Sequence, residues 1–397
     1  MERKLGWCVA LVLVAAFVVL LARDAVAAAA PPAHGKRVIG YYAGWSVDRY
    51  PATQIRGDLL THVNYAFAVI DKDNQCVPRN PKVAERGFAQ LRELKTKYPH
   101  LKTLISVGGW TDSTGFYETA KTPQSRATFA KSAAAFAKRH GFDGVDIDWE
   151  FPGGGGNDKG MGGPEDTPNF TALIKELRKE LDAQGMADNQ KYLLTIAAPA
   201  GGAHKRMELD KIYPLLDFIN IMTYDFAGSW SKNTAFNAPL YPWGEHESGS
   251  YAGDSAVQAY RKAGVPAEKI VLGVPFYGRA FGGVVAGRDD NGLYRPFDPK
   301  AKQTSPDGWG WRSISANHLE KTGKRFWHDK AKVPWLFDER TGVFVTYDDP
   351  ESLRGKAEYV RDNKLGGVMI WELSDDDGQS SLLRAMDEGL RDKPAKS

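Results

Sequence analysis

Phe142-Asp143-Gly144-Val145-Asp146-Ile147-Asp148-Trp149-Glu150 alternates apolar and acidic side chains. Val145, Ile147 and Trp149 are strand formers at alternate positions, so the stretch reads as a buried β-strand. Successive strand side chains point to opposite faces, so Asp146, Asp148 and Glu150 share the other face, ~6.6 Å from one to the next. Asp143 is out of phase and belongs to the strand entrance. Buried carboxylates are costly unless paired or hydrogen-bonded. Three aligned acids therefore point to chemistry or to a metal, against the plain alternative of a solvated edge strand.

The chain has 397 residues, 42% apolar and 25% charged, an ordinary globular composition. Its 52 Lys and Arg against 49 Asp and Glu give a net charge of +3. That near balance argues against a nucleic-acid partner and suits a neutral substrate. At the N-terminus Arg3 and Lys4 precede an apolar run from Leu11 to Leu21 and an Ala25-Val26-Ala27 site. This pattern predicts a signal peptide over 1–27, a secreted mature chain and no membrane association after cleavage; an uncleaved anchor is the alternative. Cys8 falls within the signal, which leaves Cys76 as the lone cysteine of the mature chain. It sits in a polar loop without a nearby His and reads as an incidental thiol. The same loop carries Lys82 where a calcium loop needs its chelating Glu.

Strands are expected at Val38 to Trp45, Leu60 to Ile70, Leu104 to Trp110, the acidic stretch, Leu193 to Ala198, Phe218 to Tyr224, Ile270 to Tyr277 and Gly367 to Leu373. Several are continuously apolar, as strands of a parallel sheet buried on both faces are. Helical patterns separate them. One starts at Pro123 with Thr122 as its cap and Gly141 past its end; another starts near Pro168. Eight strands alternating with helices imply an α/β fold, the (β/α)8 TIM barrel, with a doubly wound sheet as runner-up. Residues 279–366 are too long for a bare loop. Trp309-Gly310-Trp311, Lys332 to Phe337 and Val343 to Tyr347 supply content of their own. The expected organisation is a catalytic barrel over 36–278 and 356–392, interrupted by a small α+β insertion domain over 279–355.

Active sites of such barrels lie at the C-terminal strand ends. Glu150 ends the fourth strand, with Asp148 and Asp146 deeper. Like charges this close raise at least one pKa, which makes a carboxyl a general acid near neutral pH. The sixth strand ends in Met222-Thr223-Tyr224-Asp225 and the seventh in Tyr277-Gly278-Arg279. Trp45, Trp110 and Trp371 close strands one, three and eight, and Trp230 follows strand six. Any one Trp is explained by core packing, but four at one barrel end with acids among them suit a sugar polymer, which stacks its C–H faces and hydrogen-bonds its hydroxyls. A hard-cation site is the rival reading of the acids; with no His among them and no H-E-x-x-H in the chain, no metal is expected.

Asp143-Gly144-Val145-Asp146-Ile147-Asp148-Trp149-Glu150 resembles the D-G-x-D-x-D-x-E signature of family 18 chitinases. Ser106-Val107-Gly108-Gly109, Met222-Thr223-Tyr224-Asp225 and Trp371-Glu372 extend the likeness over essentially the whole mature chain. The resemblance implies retaining hydrolysis of β-1,4-linked N-acetylglucosamine with no cofactor, assisted by the substrate's own acetamido group. Glu150, Asp148, Asp146 and Tyr224 then carry the catalytic roles. Tyr41, Phe67, Met222, Asp225, Arg279 and Trp371 line the cleft, with Trp110 and Trp230 on the leaving-group side. The partner is chitin or chito-oligosaccharide and the expected state is a monomer. An inactive sugar-binding protein on the same scaffold and an endo-β-N-acetylglucosaminidase acting on N-glycans are the alternatives; the first typically lacks the terminal Glu, the second the insertion.

Overall fold

The computed structural model describes residues 30–157, 160–244, 247–301 and 308–392. The signal expected over 1–27 lies outside the described residues.

Eight strands close into one parallel barrel: β1 (Arg37–Ala43), β2 (His62–Ile70), β3 (Lys102–Gly108), β4 (Gly144–Asp148), β5 (Leu193–Pro199), β6 (Phe218–Met222), β7 (Ile270–Pro275) and β8 (Gly367–Trp371). Each pairs with its neighbours in sequence, and β1 closes the circuit against both β8 and β2. The (β/α)8 barrel is the fold class expected, and each of the eight strands overlaps a segment read as a strand, β3 starting two residues earlier than expected. The acidic ladder is shorter than the sequence suggested. It ends at Asp148, and Glu150 stands beyond it, on the segment leaving the sheet. An additional strand, Cys76–Pro78, pairs antiparallel with β2 and was not anticipated. It buries Cys76, and burial pushes its thiol pKa up, which keeps it unreactive.

Helices pack outside the barrel. The helix Pro123–His140 has the expected Thr122 cap, completed by Ser125 as a capping box, and ends at Gly141 with φ 78°. A second helix covers Pro81–Lys97, where Asn80 caps it and Pro81 starts it. Alternation divides β4 cleanly. Val145 and Ile147 face the helices and are fully buried. Trp149 continues that outer face, stacking on Phe116 at 5.5 Å and meeting Phe170 edge-on. Asp143 is structural, as read: its Oδ2 accepts from Lys95 Nζ at 2.6 Å and from the Thr103 N–H at 2.8 Å.

A second sheet, antiparallel and four-stranded, is built from Arg279–Phe281, Val343–Thr346, Val333–Asp338 and Lys324–His328. It has its own apolar cluster, including Phe281, Trp335, Phe337 and Phe344. The chain then returns through the helix Pro350–Asp362, so a boundary at 356 falls inside that helix. At the junction Lys356 donates to both oxygens of Asp348 at 2.6 and 2.7 Å, and both residues are 3% exposed. Lys356→Met leaves the Asp348 charge buried without its counter-ion. Breaking one side of such a pair costs about 3–5 kcal/mol, so calorimetry should show a clear fall in Tm.

Candidate active site

The C-terminal mouth of the barrel opens into a cleft of about 1420 Å³. Eleven of the twelve site residues expected from the sequence line it: Glu150 and Asp148 on the floor, Tyr41, Phe67 and Trp371 on one side, Met222, Tyr224, Asp225, Trp230 and Arg279 on another, and Trp110 at the rim. The twelfth, Asp146, lies beneath with 0% exposure.

Asp146 is held by groups that the strand register places beside it. Ser106 on β3 and Thr195 on β5 are its direct register partners. Their hydroxyls lie 2.7 and 2.5 Å from its Oδ2 and Oδ1 respectively. Tyr41 Oη donates to Oδ2 at 2.6 Å and Asn220 Nδ2 to Oδ1 at 3.4 Å. Burial raises the Asp146 pKa, and these four hydrogen bonds oppose the rise.

Asp148 is 4% exposed, and its buried Oδ1 has no protein hydrogen-bond partner. Burial first, then the charges of Glu150 and Asp146, push its pKa well above the usual carboxylate range. The strand reaches this depth because Gly108, directly opposite, has no side chain. A Cβ there would lie 2.4 Å from the Asp148 carbonyl oxygen, and φ is 105°. Glu150 follows, its backbone N–H donating to Ser113 Oγ at 2.9 Å. Burial, then the charge of Asp225, raises its pKa to about 8. It is therefore a protonated acid at neutral pH.

Tyr224 closes the row from the end of β6. Its only protein hydrogen-bond contact among the described residues is Met369 Sδ at 3.8 Å, which leaves the hydroxyl facing the cleft. Burial and then the charge of Asp148 hold it as a neutral phenol. Asp225 adopts φ 59°, a conformation costly for most residues but tolerated by Asp. Asn237 Oδ1 accepts its N–H at 3.0 Å, and Arg279 Nη2 and Tyr277 Oη each lie 2.6 Å from its Oδ1. The guanidinium of Arg279 also lies 5.0 Å from the Trp230 ring centroid, which ties that exposed indole to the second sheet.

The aromatic wall is continuous. Trp371 stacks on Phe67 at 5.7 Å with 22° between planes and meets Tyr41 at 5.4 Å and Trp45 at 6.1 Å. Trp45, Trp110 and Trp230 are each more than half exposed. Large indoles cost apolar exposure, so three displayed along one cleft mark a ligand surface. Trp45 and Tyr277, quoted at strand ends but not assigned to the site, also line the cleft, as do Tyr251, Tyr294 and Asp375, which the sequence does not single out. The Y-G-R run signalled Tyr277; Tyr251 and Tyr294 lie on loops whose path no local pattern sets, and Asp375 ends the short 3-10 turn Leu373–Asp375 after β8.

The C-terminal mouth of a closed parallel barrel, here with a buried row of acids under an aromatic cleft, is where enzymes of this fold carry their active sites. The chain belongs to the glycosyl hydrolases family 18, which its residues 37–376 match. It is 37% identical over 405 residues to chitinase A1 of Niallia circulans, covering 88% of this chain and 58% of that protein. It is 38% identical over 364 residues to chitotriosidase-1 of Mus musculus, covering 87% and 74%. Among solved structures, chitinase ChiA74 from Bacillus thuringiensis matches with a TM-score of 0.81 at 33% identity, covering 91% of this chain and 71% of that one. The chain thus spans just over half the length of the first of these relatives.

Proposed function

We propose that the protein is a secreted chitinase that hydrolyses β-1,4 linkages between N-acetylglucosamine units with retention. One observation carries the reading: a carboxyl held protonated near neutral pH, Glu150, stands beside a second buried carboxyl, Asp148, whose Oδ1 has no protein partner. The first is a proton donor. The second is an acceptor for a substrate N–H.

In the proposed mechanism Glu150 gives its proton to the glycosidic oxygen as the bond to the anomeric carbon breaks. The acetamido carbonyl oxygen of the same sugar forms the new bond to that carbon, on the opposite face, and an oxazolinium ion results. Asp148 accepts a hydrogen bond from the acetamido N–H and offsets the developing positive charge. Asp146 shares the proton of the pair, and the Tyr224 hydroxyl positions the acetamido oxygen. Water then opens the ring, with Glu150 taking its proton, and two inversions give net retention. Trp371, stacked against Phe67, is the floor for the reacting sugar. Met222 and Tyr41 flank it, and Asp225 with Arg279 closes the far wall. The segment 279–355 acts as an insertion domain that deepens the cleft. The leader over 1–27 supports secretion, which N-terminal sequencing of the exported protein tests.

Product analysis decides the substrate. Chitin hexamer should yield short oligomers with the β anomer in excess at early times by proton NMR, while an N-glycoprotein is left intact. An early α anomer excludes the oxazolinium route, and release of the N-glycan moves the assignment to the endoglycosidase. The pH profile gives a second check. Glu150 works as an acid only while protonated, so the alkaline limb of kcat/KM should fall through about pH 8. The Asp225 charge contributes to that elevation. Asp225→Asn should therefore lower the Glu150 pKa and move the alkaline limb toward acid; a limb that stays in place refutes the coupling.

A further inference from the structure

Five neighbouring strands, β2 to β6, turn buried polar side chains into the barrel, among them Asn64, Ser106, Asp146, Thr195 and Asn220, all 0% exposed. The remaining three present Val271, Met369 and Ile39 there, members of the interior apolar cluster, with the Tyr41 hydroxyl of β1 as the one polar group that reaches Asp146 from that side. The polar arc is not self-sufficient. Asn64 Nδ2, Asn64 Oδ1 and Asn220 Oδ1 have no protein hydrogen-bond partner. Buried amides left in that state are costly, and protein interiors satisfy them with ordered water where the site is polar on more than one side.

Both amides adjoin the shell of Asp146. Asn220 donates its Nδ2 to Asp146 Oδ1 at 3.4 Å, and its own Oδ1 is one of the unpartnered atoms. Asn64 is the register partner of Tyr41, which donates to Asp146 Oδ2. We propose that the barrel interior beneath Asp146 is a water-binding site with Asn64 and Asn220 as its ligands, and that this water tunes the proton Asp146 shares with Asp148. The water accepts from Asn64 Nδ2 and donates to Asn220 Oδ1. That polarises the Asn220 amide and strengthens its N–H bond to the Asp146 carboxylate. The other titratable groups facing Asp146 are Tyr41 from β1, Tyr224 from the end of β6, and Asp148 on its own strand. From β3 and β5 it meets only the neutral Ser106 and Thr195. Asn64 and Asn220 are positioning residues in this scheme, which rests on the pairing of Asp146 with Asp148 proposed above.

The test has a structural arm and a kinetic arm. A high-resolution crystal structure of the unaltered protein should show a water peak within hydrogen-bonding distance of both Asn64 and Asn220. An unfilled interior, or the two amides bonded elsewhere, overturns the site whatever the role of Asp146. In the kinetic arm, Asn64→Leu fills the space and removes the ligand. Its carboxylate less well solvated, Asp146 holds a proton more tightly. The acid limb of kcat/KM should then move up by roughly half a unit while the alkaline limb stays in place. Asn64→Ser, which keeps a polar group and room for water, should restore the wild-type profile. A water peak with an unshifted acid limb in Asn64→Leu overturns the tuning role. Should Asn64→Leu fail to fold, Asn64→Val, smaller and equally unable to bind the water, takes its place with the same expected shift of the acid limb, and the wild-type density decides the site.

Discussion

Glu150→Gln is expected to lower kcat/KM on chito-oligosaccharides by about 10³-fold, the scale of a positioned general acid. The amide fills the same space and retains hydrogen-bonding atoms, but it has no proton to give the leaving oxygen. Neither the aromatic wall nor Asp148 is altered, so oligosaccharide binding by calorimetry should persist. The same change should abolish the alkaline limb near pH 8, because the group that titrates there is gone. Turnover near the wild-type rate would remove Glu150 from the chemistry. Lost binding together with lost turnover would point to a structural role.

Asp148→Asn is expected to cost about 10²- to 10³-fold in kcat, in the range found when one preorganised stabilising group is removed. The loss should fall on kcat rather than KM. The charge is needed when the oxazolinium cation forms, not when the neutral sugar binds. Burial makes the group effective: at 4% exposure little water screens it from the developing cation. The same burial, with Glu150 and Asp146 nearby, pushes its pKa up, so it draws on Asp146 to share a proton. In Asp148→Asn that exchange is absent, and the acid limb of the profile should simplify. A proportional rise in KM with kcat intact would mean that Asp148 only binds substrate.

Much of the site was legible because strand alternation is strict. Once Val145, Ile147 and Trp149 are assigned to one face, Asp146, Asp148 and Glu150 must share the other, and their depths follow from position alone. The strand ends that carry Tyr41, Tyr224 and Trp371 were equally readable, since barrel strands deliver their C-terminal residues to one mouth. The reading erred where hydrogen bonding rather than pattern sets the limit. The β4 ladder stops at Asp148. The antiparallel strand Cys76–Pro78 is three residues long and carries no period. Arg279 was placed at the end of a barrel strand, yet it begins a strand of the second sheet, paired with Thr346. No local signal shows that the chain changes sheets there.

The sequence by itself determined the barrel, the row of three acids and their order of depth, because these depend on apolar periodicity and on one residue's distance from the next. Only the tertiary structure decided what each acid experiences. Ser106, Tyr41, Thr195 and Asn220 come from four different strands to surround Asp146. Asp225, from the end of β6, raises the pKa of Glu150, and Arg279, from the second sheet, holds Asp225. Asp148 keeps one oxygen without a protein partner. Proton affinity depends on burial and on charges and donors within a few ångströms, and those neighbours are distant in sequence until the barrel closes.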